Sequence, residues 1–257
     1  MAIDFSFPPE LEALRARIRA FIADVVLPAE AEIDDEDRDS VRAGVIRMRR
    51  EARSRGLWLP HMPSEFGGMG LSHVEMAMVQ AEAAKTSFGP WALNCQAPDE
   101  GNMHTLLHWA TPEQQEKYLR PLCEGRARSC FAMTEPEVAG SDPTLIQTRA
   151  VQDGDHYVIN GHKWFISGAR RARFAILIAR TEEKPEIPQA ANSAFLVDLP
   201  AEGWEDVREI ATMHGSRGHS EIAIKGLRVH ASQLLGGRGQ GQLAQALGHR
   251  LGGGGGP

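Results

Sequence analysis

The sequence predicts an α+β protein, helical through about residue 127 and β-rich after it. Three observations carry this. Apolar residues recur at helical spacing over the first half. Ser72-His73-Val74-Glu75 and Thr111-Pro112-Glu113-Gln114 have capping-box spacing and mark helix starts. Near residue 128 the period changes to short apolar runs separated by glycine, proline and acidic residues. Helices followed by strands imply two layers or two domains rather than alternating βαβ units.

The elements follow in order. Leu11, Leu14, Ile18, Phe21, Ile22 and Val25 define a first amphipathic helix. Pro8 and Pro9 stand at its start, where a missing N–H costs nothing, and Glu10 falls in its first turn. Val41, Val45, Met48 and Ala52 mark a second helix, with Gly56 as its C-terminal cap. Arg47, Arg49, Arg50, Arg53 and Arg55 spread around that helix beside acidic residues, which predicts a solvated face. A third helix begins at Ser72, and a fourth is expected over residues 100–109. The next opens at Thr111, carries Tyr118, Leu119 and Leu122, and ends near Gly125. Beyond residue 128, Asp153-Gly154-Asp155 is a turn and Tyr157-Val158-Ile159 a short strand. Asn160-Gly161 is the strongest short hairpin signal, because both central positions of a type I′ turn need φ > 0. Residues 163–167 would then return as its partner strand. Residues 174–179 are apolar throughout, as in a buried strand. Residues 193–199, 206–211 and 220–229 complete the β-rich part, and the low-complexity run 252–257 cannot pack a core.

Composition narrows the function. The chain has 257 residues, 42% hydrophobic and 24% charged, with a net charge of −6. An acidic balance argues against nucleic acid as a partner. No apolar run is long enough to span a bilayer, and the N-terminus has neither a secretory nor a transit pattern. Cys95, Cys123 and Cys130 show no Cys-x-x-Cys spacing, which predicts reduced thiols and a cytoplasmic location.

The richest stretch is Cys130-Phe131-Ala132-Met133-Thr134-Glu135-Pro136-Glu137-Val138-Ala139-Gly140-Ser141-Asp142, followed about twenty residues later by Asn160-Gly161-His162-Lys163-Trp164-Phe165-Ile166-Ser167-Gly168. Upstream stand Pro63-Ser64-Glu65-Phe66-Gly67-Gly68 and Pro98-Asp99-Glu100-Gly101-Asn102-Met103; downstream stands Arg228-Val229-His230-Ala231-Ser232-Gln233-Leu234-Leu235-Gly236. In this order the motifs resemble the acyl-CoA dehydrogenase family over approximately residues 3–241, most closely the branch called family members ten and eleven. The resemblance implies a helical N-terminal domain at 1–127, an antiparallel β-barrel-like flavin-binding domain at 128–236, and at 237–257 a hinge with the truncated start of a C-terminal helical domain.

It also implies chemistry. The family desaturates acyl-CoA thioesters between the α and β carbons: a carboxylate takes the α-proton and hydride passes to FAD. By resemblance, Phe131, Ala132, Met133 and Thr134 supply backbone and hydroxyl contacts to the flavin ring. Phe165, Ile166 and Ser167 line its other side, with Ser167 near N5; the family more often has tryptophan and threonine at those two positions. Gly140 and Ser141 would approach flavin or the pantetheine of the substrate, which makes Ser141 a substrate-binding candidate as well. The catalytic carboxylate belongs to the family's C-terminal domain, so no catalytic residue is assigned; Glu135 and Glu137 are expected to shape the turn at Pro136, and Glu221 is not favoured as a base. Impaired turnover, electron-transfer flavoprotein as acceptor, and a homo-oligomer in the complete architecture are further implications.

Other features weigh less. His104 and His108 have a helical metal-ligand spacing but only Glu100 on their face, so a solvated or interface face is expected and no metal site. Arg170, Arg171 and Arg173 could grip a phosphate, although a charged loop is the simpler expectation. Two alternatives keep the fold: a flavin-dependent monooxygenase or oxidase, and a non-catalytic interaction module.

Overall fold

The computed structural model describes residues 6–183, 185–213 and 218–241. The expected start of a C-terminal helical domain, from residue 242 on, lies outside them. The chain divides into two compact units, one running to Glu100 and the next beginning at Gly101.

In the first unit, α1 (Pro9–Phe21) runs through a π-turn at Ile22–Val26 into α2 (Leu27–Ala31). Leu11, Leu14, Ile18, Phe21 and Ile22 are buried, as the 3.6-residue period requires, but the π-turn puts Val26 into the core in place of the expected Val25. Helix α3 (Arg38–Ser54) is capped by the Asp37 carboxylate, which accepts the Asp39 N–H at 2.9 Å. Gly56, at φ +64°, turns the chain after it. Helix α4 (His73–Ala83) opens with the predicted Ser72/Glu75 capping box. The Glu82 carboxylate near its end is buried and takes Arg15 and Arg19 of α1, each at 2.8 Å, together with Lys85. These hydrogen bonds hold it well below the usual carboxylate range despite its burial. Helix α5 (Gly89–Leu93) is not predicted, because five residues are too few to show a period.

The arginine face of α3 is not uniformly solvated. Arg49 is buried and donates to the Trp91 carbonyl at 3.0 Å and to Asn94 Oδ1 at 3.3 Å. The Arg53 guanidinium lies 3.5 Å from the centre of the Trp58 ring. A flat, weakly hydrated cation stacks on indole where an ammonium would stay in water, which charge counting along a helix does not register.

Helix α6 (Asp99–Trp109) leads into the second unit. It is followed by α7 (Pro112–Gln114), a π-turn at Gln115–Leu119 and α8 (Arg120–Cys123). The Thr111/Gln114 capping box is present, and Gly125 ends the run at φ +69°. These helices pack with the strands. Asn102 Nδ2 donates to Ser129 Oγ at 2.8 Å, Gln114 Nε2 donates to the carbonyls of Ser232 and Leu234, and the Tyr118 ring lies 4.8 Å from Phe174.

The strands are β1 (Ser129–Ala132), β2 (Arg149–Asp153), β3 (His156–Ser167), β4 (Phe174–Arg180), β5 (Asn192–Asp198), β6 (Trp204–Glu209), β7 (His219–His230) and β8 (Leu234–Leu235). They form one sheet in the order β6-β7-β3-β2-β4-β5-β8, with β1 beside β4. Most pairs are antiparallel, but β1 and β2 both meet β4 in parallel. The path ends at β6 and β8, so the barrel-like sheet is not closed. Its core gathers Cys130, Ala132, Ile159, Ile166, Leu177, Phe195 and Ile222.

The expected hairpin at Asn160-Gly161 is absent. Residues on both sides belong to the single strand β3, and the turn sits at Gly154 (φ +62°) between β2 and β3. Neither Asn160 nor Gly161 has a positive φ. Glycine is needed at 161 for space: a Cβ there would lie 2.2 Å from Thr148 Oγ1. Asn160 instead accepts the Gly226 N–H at 2.7 Å through Oδ1. The turn chemistry of the dipeptide is thus used within a ladder, where local sequence cannot distinguish the two roles.

Candidate functional site

The end of β1 and the second half of β3 are locked together. The Thr134 carbonyl accepts the Trp164 N–H at 3.1 Å, and Thr134 Oγ1 donates to the Trp164 carbonyl at 2.6 Å. Beneath this pair, Lys163 Nζ donates to the Met133 carbonyl at 2.8 Å and to Glu135 Oε1 at 2.9 Å. Glu135 also accepts the N–H groups of Gln147 at 2.7 Å and Thr148 at 2.9 Å. The two side chains are sealed, 0% and 1% exposed. Burial pushes the Lys163 ammonium down to about 8, against the pull of Glu135. Burial also works against the Glu135 charge, yet Lys163 and the amide donors hold that carboxyl below its ordinary value. A buried pair with every polar atom engaged fixes a geometry even where it adds little net stability.

Just past this anchor the β3/β7 ladder slips. Lys163 faces Ile222 and Ile166 faces Ser220, so Trp164 and Phe165 together oppose Glu221. This is a β-bulge, and Phe165 occupies it at φ +54°. The residue is 44% exposed, and its ring meets that of Trp164 with centroids 4.9 Å apart. A bulky residue held left-handed with its ring toward solvent is a strained arrangement of the kind that gathers at binding sites.

The candidate residues fall into three groups. Phe131, Met133, Thr134 and Ser167 are half-buried and Phe165 is exposed, so their side chains remain accessible. Ala132 and Ile166 are sealed in the core, backbone included, and stand behind this surface rather than on it. Gly140 and Ser141 are exposed on the loop that follows β1. A Cβ on Gly140 would meet Thr134 Cγ2 at 3.5 Å, an ordinary contact; the loop thus lies beside Thr134, and packing within the chain does not itself demand glycine. This surface carries an aromatic face, two hydroxyls and the backbone of a strand end. That donor set fits a flat heteroaromatic ring with polar edges.

The acidic residues nearby are engaged. His162 Nδ1 meets Glu137 at 2.7 Å and its Nε2 meets Glu221 at 3.0 Å, while Arg208 Nε donates to Glu221 at 2.7 Å. Burial opposes charge on His162, but the two carboxylates outweigh it and raise its pKa. Glu221 is held below its usual range, first by its bond to Arg208. Glu135 anchors Lys163 and the 147–148 backbone rather than shaping only the turn at Pro136.

Elsewhere, Arg170 is committed to Asp206 (2.7 and 3.1 Å) and Glu209 (2.9 Å), the charged-loop arrangement. All three cysteines are buried free thiols, and burial pushes Cys123 up to about 12. Among the described residues no group of three or more His, Cys, Asp and Glu side chains could hold a metal ion. No helix among them is long and apolar enough to cross a membrane.

Sequence reasoning missed Lys163 and His219. Lys163 shares the inward parity of Tyr157 and Ile159 on β3, which announces a buried charge in need of a partner. Ile166 is buried on the opposite parity, which requires a bulge between the two. His219, whose Nδ1 lies 3.0 Å from Ser167 Oγ, gives no local signal, because its partner is 52 residues away.

Comparison with known proteins identifies relatives over nearly the whole chain. A family model described as acyl-CoA dehydrogenase, N-terminal domain, matches residues 8–126, and one described as acyl-CoA dehydrogenase, middle domain, matches residues 130–227. Acyl-CoA dehydrogenase family member 11 of Homo sapiens is 36% identical over 241 residues, covering 88% of this chain and 30% of that protein. The probable acyl-CoA dehydrogenase FadE2 of Mycobacterium tuberculosis is 37% identical over 254 residues, covering 95% of this chain and 62% of that protein. A solved acyl-CoA dehydrogenase candidate from Mycobacterium abscessus superposes with a TM-score of 0.87 at 31% identity, covering 96% of this chain and 64% of the other. The chain spans less than two thirds of the length of each of these relatives.

Proposed function

The chain belongs to the acyl-CoA dehydrogenase family, and we propose that it provides the FAD-binding face of an oxidoreductase acting on the CH–CH group of an acyl-CoA thioester. The observation that carries this is the Phe165 bulge locked against the end of β1 by Thr134 and Lys163. FAD, when bound, supplies the hydride acceptor for α,β-desaturation of the thioester. The protein's part is to hold the ring and exclude water from it. The backbone of residues 131–134 and the Thr134 hydroxyl take one polar edge of the ring, Phe165 covers its face, and Ser167 presents a hydroxyl at the opposite edge. Ala132 and Ile166 back those two walls from the core. Gly140 and Ser141 contact the pantetheine end of the substrate or the cofactor.

We assign no catalytic base. Glu135 is bound to Lys163, and Glu137 and Glu221 to His162. Carboxylates already engaged in this way are poorly placed to take a proton from substrate, so this chain alone should turn over acyl-CoA slowly or not at all. Electrons from the reduced cofactor go to an electron-transfer flavoprotein, in a cytoplasmic setting that suits three reduced thiols.

The test is a titration of the purified chain with FAD, followed by flavin fluorescence and absorption. Saturable quenching, weakened in Phe165→Ala and Thr134→Val, is expected. Absence of saturable binding at millimolar FAD overturns the proposal. Robust reduction of an artificial acceptor with any acyl-CoA would overturn the prediction of slow turnover.

A further inference from the structure

We infer that His219 is a positioning residue that sets the hydrogen-bonding role of the Ser167 hydroxyl, an inference that rests on the flavin face proposed above. Ser167 and His219 are directly opposite on β3 and β7, and Ser167 Oγ lies 3.0 Å from His219 Nδ1. The histidine ring also stands 6.3 Å from the Phe165 ring at 63°, so one side chain touches both groups that would line the ring. The residues on either side of it are pinned. The Gly218 carbonyl accepts the Gly168 N–H at 2.7 Å, the Gly218 N–H donates to Glu209 at 3.0 Å, and Ser220 Oγ donates to Asp206 at 3.1 Å.

A serine hydroxyl has one proton and rotates freely, so alone it has no fixed polarity. The Nδ1 neighbour removes that freedom. Where Nδ1 carries a lone pair, Ser167 donates to it and offers lone pairs to a ligand. Where Nδ1 carries the proton, Ser167 accepts from it and turns its own proton outward. Oxidised flavin N5 is an acceptor and reduced N5–H is a donor, so the two tautomers of one imidazole match the two redox forms.

The test uses the full chain. In flavin-free protein, the ¹⁵N resonance of His219 Nδ1 should move on Ser167→Ala; an unmoved resonance overturns the inference whatever happens with flavin. With FAD, His219→Ala should weaken binding about tenfold, the size of one hydrogen bond of about 1.4 kcal/mol, and shift the potential of the bound flavin. Thermal stability should hold, and His219→Asn, which keeps a polar atom near Nδ1, should restore binding where His219→Leu does not. In the Ser167→Ala background, His219→Ala should add no further loss. If the unaltered chain binds FAD and His219→Ala leaves affinity and potential unchanged, this inference alone fails. If the unaltered chain binds no FAD, the proposed function fails and the inference falls with it.

Discussion

Two bulges interrupt the same β3/β7 ladder, and they are filled by opposite kinds of residue. At the first, Ile159 faces Leu227 and Gly161 faces Ile224, so Lys225 and Gly226 of β7 oppose Asn160. Gly226 takes the left-handed position at φ +63° and its N–H is received by Asn160. Glycine carries no Cβ penalty there, and the loose donor is satisfied. At the second, Trp164 and Phe165 of β3 oppose Glu221, and the left-handed position at φ +54° falls on a phenylalanine. Such a residue costs roughly 1–2 kcal/mol relative to glycine. The first bulge is relaxed and closes a ladder; the second keeps a strained, exposed ring above a sealed ion pair. Strain retained at the second bulge is what the proposed flavin face would account for.

The comparison breaks most completely at its anchor. Lys163→Met should destabilise the fold by about 3–5 kcal/mol, because Glu135 is left charged, buried and without its cation. Chemical denaturation of Lys163→Met against the Lys163→Met/Glu135→Leu double variant checks this, and the double variant should recover only part of the loss, because the Thr148 N–H and the Met133 carbonyl still lack their partners. A single variant as stable as the parent would remove the anchor from the account.

Gly161→Ala tests the relaxed bulge. The new Cβ would fall 2.2 Å from Thr148 Oγ1, and overpacking of that kind costs about 1–3 kcal/mol. The midpoint of a urea melt checks this, and an unmoved midpoint would show that Thr148 gives way at no cost.

Exchanging the two left-handed residues sharpens the contrast. Gly226→Ala should cost about 1 kcal/mol of stability and leave FAD affinity alone. Phe165→Gly should change stability by less than about 1 kcal/mol, since relief of strain offsets added backbone entropy, and should weaken FAD binding. Melting curves and FAD titrations on the pair give the four values needed; equal effects on binding would erase the distinction.

The smallest effect concerns pH. His162 joins Glu137 of the loop after β1 to Glu221 of β7, and its pKa is raised in the folded protein. A raised histidine pKa contributes stability that is fully present below the unfolded value and is lost as pH rises through the folded one. The melting temperature of the parent should therefore approach that of His162→Gln from above as pH climbs from slightly acid through neutral. A constant gap across that window would show that the clasp does not titrate.

Much of this was legible beforehand. The capping boxes at Ser72 and Thr111 and the apolar stripe of α1 are local signals, and they folded as local signals should. The two strand segments of the candidate site were found by motif, and Met133 and Thr134 do meet Lys163 and Trp164. What was illegible depended on partners far along the chain. Asn160-Gly161 has the composition of a turn, but the ladder with β7 converts it into bulge chemistry, with Asn160 bound to a glycine 66 residues away. Arg49 and Arg53 read as solvated because a helix wheel does not contain Trp58.

The sequence by itself determined where helices begin, where the period turns from 3.6 to 2, and which segments carry an aromatic residue and hydroxyls side by side. Those are properties of neighbouring residues, and neighbours are fixed by covalent order. Only the tertiary structure decided which half of β3 is relaxed and which strained, that Lys163 is buried on Glu135, and that Ser167 faces His219. These depend on register between distant strands, and a shift of one residue in register sends every side chain to the other face.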